Sequence, residues 1–95
     1  MNQWAFVTGG GGDIGGAVCT ALARDGFNIA CVDLNQERAE AVCKAIRSTG
    51  GTAAPFVADV TNPEAVAAVV DAALKLGDIA VLVNTAGKAG AGSIF

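Results

Sequence analysis

The chain has 95 residues, a formal net charge of −3, and neither histidine nor tyrosine. This length allows one domain at most. Lysine and arginine occur singly along the chain, so a basic surface for nucleic acid is not indicated. No apolar run reaches the ~18 residues of a membrane span, and the first residues lack the basic region of a signal peptide. We therefore expect a cytoplasmic protein that binds neither nucleic acid nor membrane.

The three cysteines, Cys19, Cys31 and Cys43, follow one another at intervals of twelve residues. This spacing fits no common zinc pattern, and the chain has no histidine to complete such a site. Isolated thiols of this kind usually behave as small buried apolar side chains in a reducing compartment. We therefore expect three buried free thiols and no metal site.

Four apolar segments alternate with three segments of helical period. The predicted strands are residues 4–7, 27–33, 52–58 and 79–83, and the helices begin at Asp13, after Asn35 and near Pro63. Strands separated by helices of about a dozen residues form parallel sheets through right-handed crossovers. Pro55 cannot donate to a central ladder, so the third strand should lie at an edge. These features predict an α/β fold with a Rossmann-type, doubly wound parallel sheet in the order 3-2-1-4.

Apolar spacing also predicts which side of each outer helix faces the core. On the first helix the predicted core positions are Ile14, Ala17, Val18, Ala21 and Leu22; on the third they are Val66, Val69, Val70, Ala73 and Leu74. Two caps are possible for the third helix: Asn62 ahead of Pro63, or a capping box of Thr61 and Glu64.

The fourth strand is a continuous apolar run, which predicts burial on both faces. The order 3-2-1-4 nevertheless places it at a sheet edge, where an open apolar strand invites pairing. We therefore expect a sheet truncated after its fourth strand, with further chain following Phe95.

The turn between the first strand and the first helix is rich in glycine. The free N–H groups at a helix N-terminus and the helix dipole favour phosphate, and glycines let a diphosphate approach the backbone. Two registers fit the turn: Gly10-x-Gly12-x-x-Gly15, and Thr8-Gly9-x-x-x-Asp13-x-Gly15. A plain flexible turn is the alternative.

Asp33 ends the second strand, 18 residues after Gly15. A carboxylate at that place binds the adenosine ribose of a dinucleotide and repels a 2′-phosphate, so it favours NAD over NADP. A solvated acid or a helix cap is the alternative interpretation of Asp33.

Three segments in order resemble the short-chain dehydrogenase/reductase family: residues 8–15, residues 58–61 (Ala-Asp-Val-Thr) and residues 83–87 (Val-Asn-Thr-Ala-Gly). They are similar to that family's TGxxxGxG loop, its Asp-Val pair and its NNAG segment, and the last of these selects the TGxxxGxG register. The resemblance covers essentially residues 1–95 and implies a single partial NAD(P)-binding domain. The cofactor-binding residues it implies are Gly9, Gly12, Asp13, Ile14 and Gly15 at the diphosphate, Asp33 and Leu34 at the ribose, Asp59 and Val60 at the adenine, and Asn84, Ala86 and Gly87 beyond the switch point.

For Asp59 a helix-preceding cap is the alternative, and for Asn84 a turn residue at a strand end. Two positions depart from the family pattern. Asp13 replaces a glycine and brings a negative side chain to the helix N-terminus, where it suits the dipole and could cap the helix but repels a diphosphate. Thr85 replaces the second asparagine of NNAG, so the hydrogen bonds of that asparagine do not carry over.

The resemblance implies an oxidoreductase that moves a hydride between nicotinamide and a small-molecule alcohol or carbonyl, in a homodimer or homotetramer. The family's acid–base pair is a tyrosine and a lysine four residues later, and these 95 residues contain no tyrosine. We therefore expect no catalytic residue here and an inactive chain on its own. The alternative is a non-catalytic NAD(H)-binding module or remnant.

Overall fold

The computed structural model describes residues 2–85, which form four strands and three helices in strict alternation. The strands run parallel in the order β3-β2-β1-β4, so the predicted fold class and strand order are confirmed. The elements are β1 (Gln3–Thr8), α1 (Asp13–Arg24), β2 (Asn28–Asp33), α2 (Gln36–Ser48), β3 (Ala53–Val57), α3 (Pro63–Leu74) and β4 (Asp78–Asn84).

β3 lies at one edge and contains Pro55, as its missing N–H group predicted. The strand bounds differ from the predicted ones by at most one residue at each end, because single-sequence patterns do not fix where pairing ends. α2 begins behind Asn35, whose side chain accepts a hydrogen bond from the N–H of Arg38.

Apolar side chains pack on both faces of the sheet. On the face of α1 and α2, the core contains Val7, Ile29, Ile46 and the three cysteines, all buried and free. On the face of α3, Trp4, Phe6 and Val32 pack against Val69 and Ala73. The predicted burial of the thiols is confirmed.

The predicted core face of α1 is correct at Val18 and Leu22, which pack against the core, and wrong at the other three positions. Ile14 is 75% exposed, and Ala17 and Ala21 are exposed, whereas Gly15 and Cys19 are buried. The helix turns this way because Gly15 must pack against the carbonyl group of Gly9, and that contact sets the rotation of the whole first turn.

The prediction that β4 is buried on both faces is also wrong. Its burial alternates along the strand, and Leu82 is 56% exposed. Within residues 2–85, β4 pairs only with β1. Val81 and Val83 pack partly against the core on the face of α1 and α2, and Ile79 against the core on the face of α3, so each face of this edge strand is only partly covered. α3 likewise buries Val69 and Ala73 but exposes Leu74, which was a predicted core position.

The two possible caps of α3 are resolved by its first turn. The side chain of Asn62 accepts hydrogen bonds from the N–H groups of Glu64 and Ala65, and Pro63 is the first helical residue. Thr61 bonds to Asp59 instead, so the capping box is not formed. Over residues 2–85, the helices are too short or too polar to cross a membrane.

Candidate functional site

The candidate site is a groove of about 350 Å³ at the carboxyl ends of the strands. Its volume is in the range usual for small-molecule sites, and ligands of open α/β sheets bind at this edge, where the strand order reverses. The groove is lined by Gly9, Gly12, Asp33, Leu34, Arg38, Ala58, Asp59, Val60, Thr61 and Thr85. Six of these positions are predicted cofactor-binding residues.

The glycine loop passes very close to α1. Gly9 has a φ of 68°, in the left-handed region that favours glycine. A Cβ on Gly15 would collide with the carbonyl oxygen of Gly9 and stand 2.7 Å from Oγ1 of Thr85. Gly15 therefore allows the close packing of helix on loop that a dinucleotide fingerprint requires.

Asp33 is 9% exposed and is held by two backbone groups. Its Oδ2 accepts a hydrogen bond from the N–H of Gly11 at 3.0 Å, and its Oδ1 accepts one from the N–H of Asn35 at 2.9 Å. The carboxylate is therefore neither a freely solvated acid nor the cap of α2, which is Asn35.

The N-terminus of α1 presents its first N–H groups beside the glycine loop. Gly12 is the N-cap residue and makes no side-chain cap hydrogen bond; Asp13 is the first helical residue and is exposed. The prediction that Asp13 could cap the helix is therefore wrong, because its backbone already lies inside the helix. Its charge still suits the dipole.

The carboxyl end of β4 is tied to that of β1 by side chains. The hydroxyl of Thr8 donates to Oδ1 of Asn84 at 2.7 Å. Thr85 donates to the carbonyl oxygen of Thr8 through both its hydroxyl, at 2.7 Å, and its N–H, at 3.0 Å. Thr85 thus joins the two strands at the position where the family pattern has an asparagine.

Asp59 also lines the groove and is fully exposed. The hydroxyl and the N–H of Thr61 both donate to its Oδ1 and hold the pKa of the carboxyl below its usual value. The cap alternative for Asp59 is wrong, since Asn62 caps α3. Leu34 and Val60 are exposed apolar side chains on the same groove.

Two of the three buried thiols, Cys19 and Cys31, lie next to Gly10 of the glycine loop. Cys43 donates to Cys31, which donates to Cys19, and Cys19 donates to the carbonyl oxygen of Gly10 at 3.8 Å. Donation to Cys19 is the largest cause that raises the pKa of Cys31 to about 12, and the pKa of Cys43 is raised for the same reason. Both are therefore neutral thiols at physiological pH.

Several predicted residues lie outside the groove lining. Gly15 is packed beneath the loop, Asp13 and Ile14 occupy the first turn of α1, and Asn84 contacts Thr8. Ala86 and Gly87 lie outside the described residues. Four lining residues were not among the predicted cofactor-binding residues: Arg38, Ala58, Thr61 and Thr85. Arg38 lies in the first turn of α2, shortly after Asp33, and each of the other three is the direct neighbour of a predicted residue in the chain.

A family model described as short chain dehydrogenase matches residues 3–94. The chain belongs to the short-chain dehydrogenase family. Its resemblance, predicted from three segments, is thereby confirmed.

Two relatives and one solved structure illustrate the similarity of this chain to known proteins. A probable galactose dehydrogenase of Rhizobium meliloti (strain 1021) is 45% identical over 89 residues, which cover 92% of this chain and 35% of that protein. The 2-(S)-hydroxypropyl-CoM dehydrogenase 3 of Xanthobacter autotrophicus is 39% identical over 94 residues, which cover 98% of this chain and 37% of that protein. An NAD⁺-bound xylitol dehydrogenase structure superposes with a TM-score of 0.87 at 40% identity. The match covers 92% of this chain and 34% of that chain. The chain thus spans about a third of the length of these proteins.

Proposed function

We propose that this chain is the N-terminal, NAD(H)-binding part of a short-chain dehydrogenase/reductase. The whole enzyme would transfer a hydride between nicotinamide and the carbon of a small-molecule alcohol or carbonyl. The observation that carries the proposal is the buried carboxylate of Asp33, fixed to the glycine loop by the N–H of Gly11. This hydrogen bond holds the acid that would bind the ribose next to the turn that would bind the phosphates.

The residues present fit a dinucleotide. The close contact of Gly15 with Gly9 leaves the first N–H groups of α1 open to a diphosphate. Asp33 would accept hydrogen bonds from the adenosine ribose, and the apolar Leu34 and Val60 would flank the adenine. Asp59, with Oδ1 occupied by Thr61, would offer Oδ2 to the exocyclic amine. When bound, the cofactor supplies or accepts the hydride.

A negative carboxylate at the ribose favours NAD over NADP, because it repels a 2′-phosphate. The substrate class, the homodimer or homotetramer and the cytoplasmic location stay predictions. So does the interpretation of residues 1–95 as one partial domain. The names of the two relatives, both dehydrogenases, support the proposed reaction class.

Isothermal titration calorimetry of the chain with NAD⁺ and NADP⁺ tests the proposal. We expect NAD⁺ to bind more tightly than NADP⁺, and Asp33→Asn to weaken NAD⁺ binding by roughly tenfold, because a hydrogen bond to a charged group is worth about 1.5–3 kcal/mol. Asp71→Asn, on the exposed side of α3, removes the same charge away from the groove and should leave the affinity unchanged. The absence of NAD⁺ binding, or equal effects of both variants, would contradict the proposal.

The non-catalytic NAD(H)-binding module is the second candidate, because the 95 residues contain no tyrosine. It predicts the same binding isotherm for this chain. The two candidates differ in whether the protein encoded by the complete reading frame turns over a substrate. Turnover can be followed by the absorbance of NADH at 340 nm, with a panel of polyols and sugars as substrates.

A further inference from the structure

Cys19 and Cys31 form a thiol pair that the proposed function does not use. Both side chains are fully buried, one on α1 and the other on β2. The thiol of Cys31 donates a hydrogen bond to Sγ of Cys19, so the two sulfur atoms already lie side by side. A disulfide needs its sulfur atoms about 2.05 Å apart, and a local shift of the two side chains is enough to bring these sulfurs together.

The thiol pair touches the glycine loop at Gly10. A Cβ placed on Gly10 would stand 2.8 Å from Sγ of Cys31 and 3.1 Å from Sγ of Cys19. The thiol of Cys19 also donates to the carbonyl oxygen of Gly10 at 3.8 Å. Gly10 lies between Gly9 and Gly12, which line the groove. A change in the bonding of the two sulfurs therefore acts on the loop that would hold the diphosphate.

Cys19 is the more nucleophilic thiol of the pair. The hydrogen bond from Cys31 favours the thiolate of Cys19 and lowers its pKa, whereas the same bond raises the pKa of Cys31 to about 12. The thiolate is the form of cysteine that attacks an oxidant. Residues 9–12 are all glycine, so the loop beside the sulfurs has no side chains, and a small backbone movement admits a small molecule.

We propose that Cys19 and Cys31 are an oxidation site for a hydroperoxide, and that the disulfide formed there lowers the affinity of the groove for NAD(H). The inference rests on the proposed function. Sγ of Cys19 attacks the terminal oxygen of the hydroperoxide, and the O–O bond breaks. The alcohol released, which is water for hydrogen peroxide, takes the proton of Cys19 and leaves a sulfenic acid. Sγ of Cys31 then attacks the sulfur of Cys19, the S–S bond forms, and the hydroxyl leaves as water with the proton of Cys31.

The net change is a two-electron oxidation of the thiol pair and reduction of the hydroperoxide. The disulfide has no S–H group, so the carbonyl oxygen of Gly10 loses the hydrogen bond from Cys19. The glycine loop then shifts away from the position that suits a diphosphate. Conversely, a bound dinucleotide holds the loop in place over the thiols. Cofactor binding and oxidation therefore oppose each other, because each favours a different position of the loop.

Peptide mapping identifies the bond, because trypsin cleaves after Arg24, Arg38 and Lys44 and places the three cysteines in three different peptides. The chain is treated with hydrogen peroxide, with and without NAD⁺, then alkylated, digested and analysed by mass spectrometry. We expect a crosslink between peptides 1–24 and 25–38. It should form roughly tenfold more slowly in NAD⁺ at about ten times its Kd, since only the free chain reacts.

Calorimetric titration of the oxidised chain measures the effect on the groove. We expect the affinity for NAD⁺ to fall by roughly tenfold or more and to return after reduction with dithiothreitol. Cys31→Ala should abolish both the crosslink and the loss of affinity. Cys43→Ala is the matched control, because Cys43 is the third buried thiol and is not among the atoms nearest to Gly10; it should keep both.

The outcomes separate this inference from the proposed function. A crosslink between other cysteines, a disulfide that leaves the affinity unchanged, or oxidation that NAD⁺ does not slow would overturn the inference while the proposed function stands. If the reduced chain binds no NAD⁺, the proposed function fails, and the effect of oxidation on cofactor affinity fails with it. The crosslinked peptide then still shows whether Cys19 and Cys31 form the disulfide.

Discussion

The backbone N–H of Gly11 donates a hydrogen bond of 3.0 Å to Oδ2 of Asp33, and this bond joins the glycine loop to the end of β2. The two residues are 22 apart in the chain. Because the same carboxylate also accepts the N–H of Asn35, it fixes the start of α2 as well. Asp33 therefore organises the groove before any ligand enters, and its substitution should affect stability as well as binding.

Asp33→Ala should lower the free energy of unfolding by about 1–3 kcal/mol, since it leaves the N–H groups of Gly11 and Asn35 without their acceptor. Urea denaturation followed by far-UV circular dichroism measures the change. Asp71→Ala, at an exposed helix position, should stay within about 0.5 kcal/mol of the parent chain. Equal stability of the two variants would show that the Asp33 hydrogen bonds contribute nothing net.

Gly15→Ala should destabilise the chain, because a Cβ there collides with the carbonyl oxygen of Gly9. Overpacking of this kind costs typically about 1–3 kcal/mol, which corresponds to a drop in Tm of at least ~4 °C for a domain of this size. Gly16→Ala is the neighbouring control: its Cβ would stand 3.4 Å from Val42, and alanine favours a helix over glycine. Thermal denaturation should show opposite signs for the two variants.

The sequence predicted the fold correctly because its signals are local and agree with one another. Pro55 placed β3 at an edge, and the positions of the glycine loop and Asp33 placed the groove at the ends of β1 and β2. Val18 and Leu22 of α1 pack against the core as predicted, but Ile14 does not, since the contact of Gly15 with Gly9 outweighs the apolar periodicity that favoured Ile14 as a core residue. That contact links loop and helix through their backbones, and no hydrophobic pattern encodes it.

Side-chain hydrogen bonds across the groove were the least predictable part of the site. Thr85 differs from the family's asparagine, yet it donates twice to the carbonyl oxygen of Thr8. Arg38 lines the groove because one turn of α2 carries it back over Gly11. Both depend on how separate elements meet, which periodicity along one element does not describe.

Thr61→Val should raise the pKa of Asp59 toward its ordinary value, because it removes the hydroxyl that donates to Oδ1 while the N–H donor remains. A carboxyl pKa that folding lowers contributes stability that is present above the unfolded pKa and is lost as pH falls through the folded pKa. The variant should therefore lose less stability on acidification. Carboxyl ¹³C chemical shifts measured against pH give the pKa directly.

Thr20→Val is the control for this titration. It deletes a hydroxyl that donates to the carbonyl oxygen of Gly16, far from any carboxylate of the groove. It should leave the titration of Asp59 unchanged. If Thr61→Val also leaves it unchanged, the hydroxyl of Thr61 does not stabilise the carboxylate in solution.

Asp13→Asn should have opposite effects on the stability of α1 and on the affinity for the cofactor. Asp13 is the first residue of α1, where a negative charge stabilises the helix by about 0.3–1 kcal/mol, so the variant should unfold slightly more easily. At the same place the charge opposes a diphosphate, and its removal should tighten NAD⁺ binding by a few-fold, an interaction of about 1 kcal/mol at ~4 Å in water.

Ionic strength distinguishes repulsion at Asp13 from a steric effect. Salt screens exposed charges over a Debye length of ~10 Å at 0.1 M, so the affinity gain of Asp13→Asn should shrink as salt rises from 20 mM to 500 mM in calorimetric titrations with NAD⁺. A gain that does not depend on salt would assign the effect to side-chain geometry. Weaker NAD⁺ binding by Asp13→Asn at every salt concentration would show instead that the carboxylate assists the cofactor, and that its replacement of the family's glycine carries no electrostatic cost.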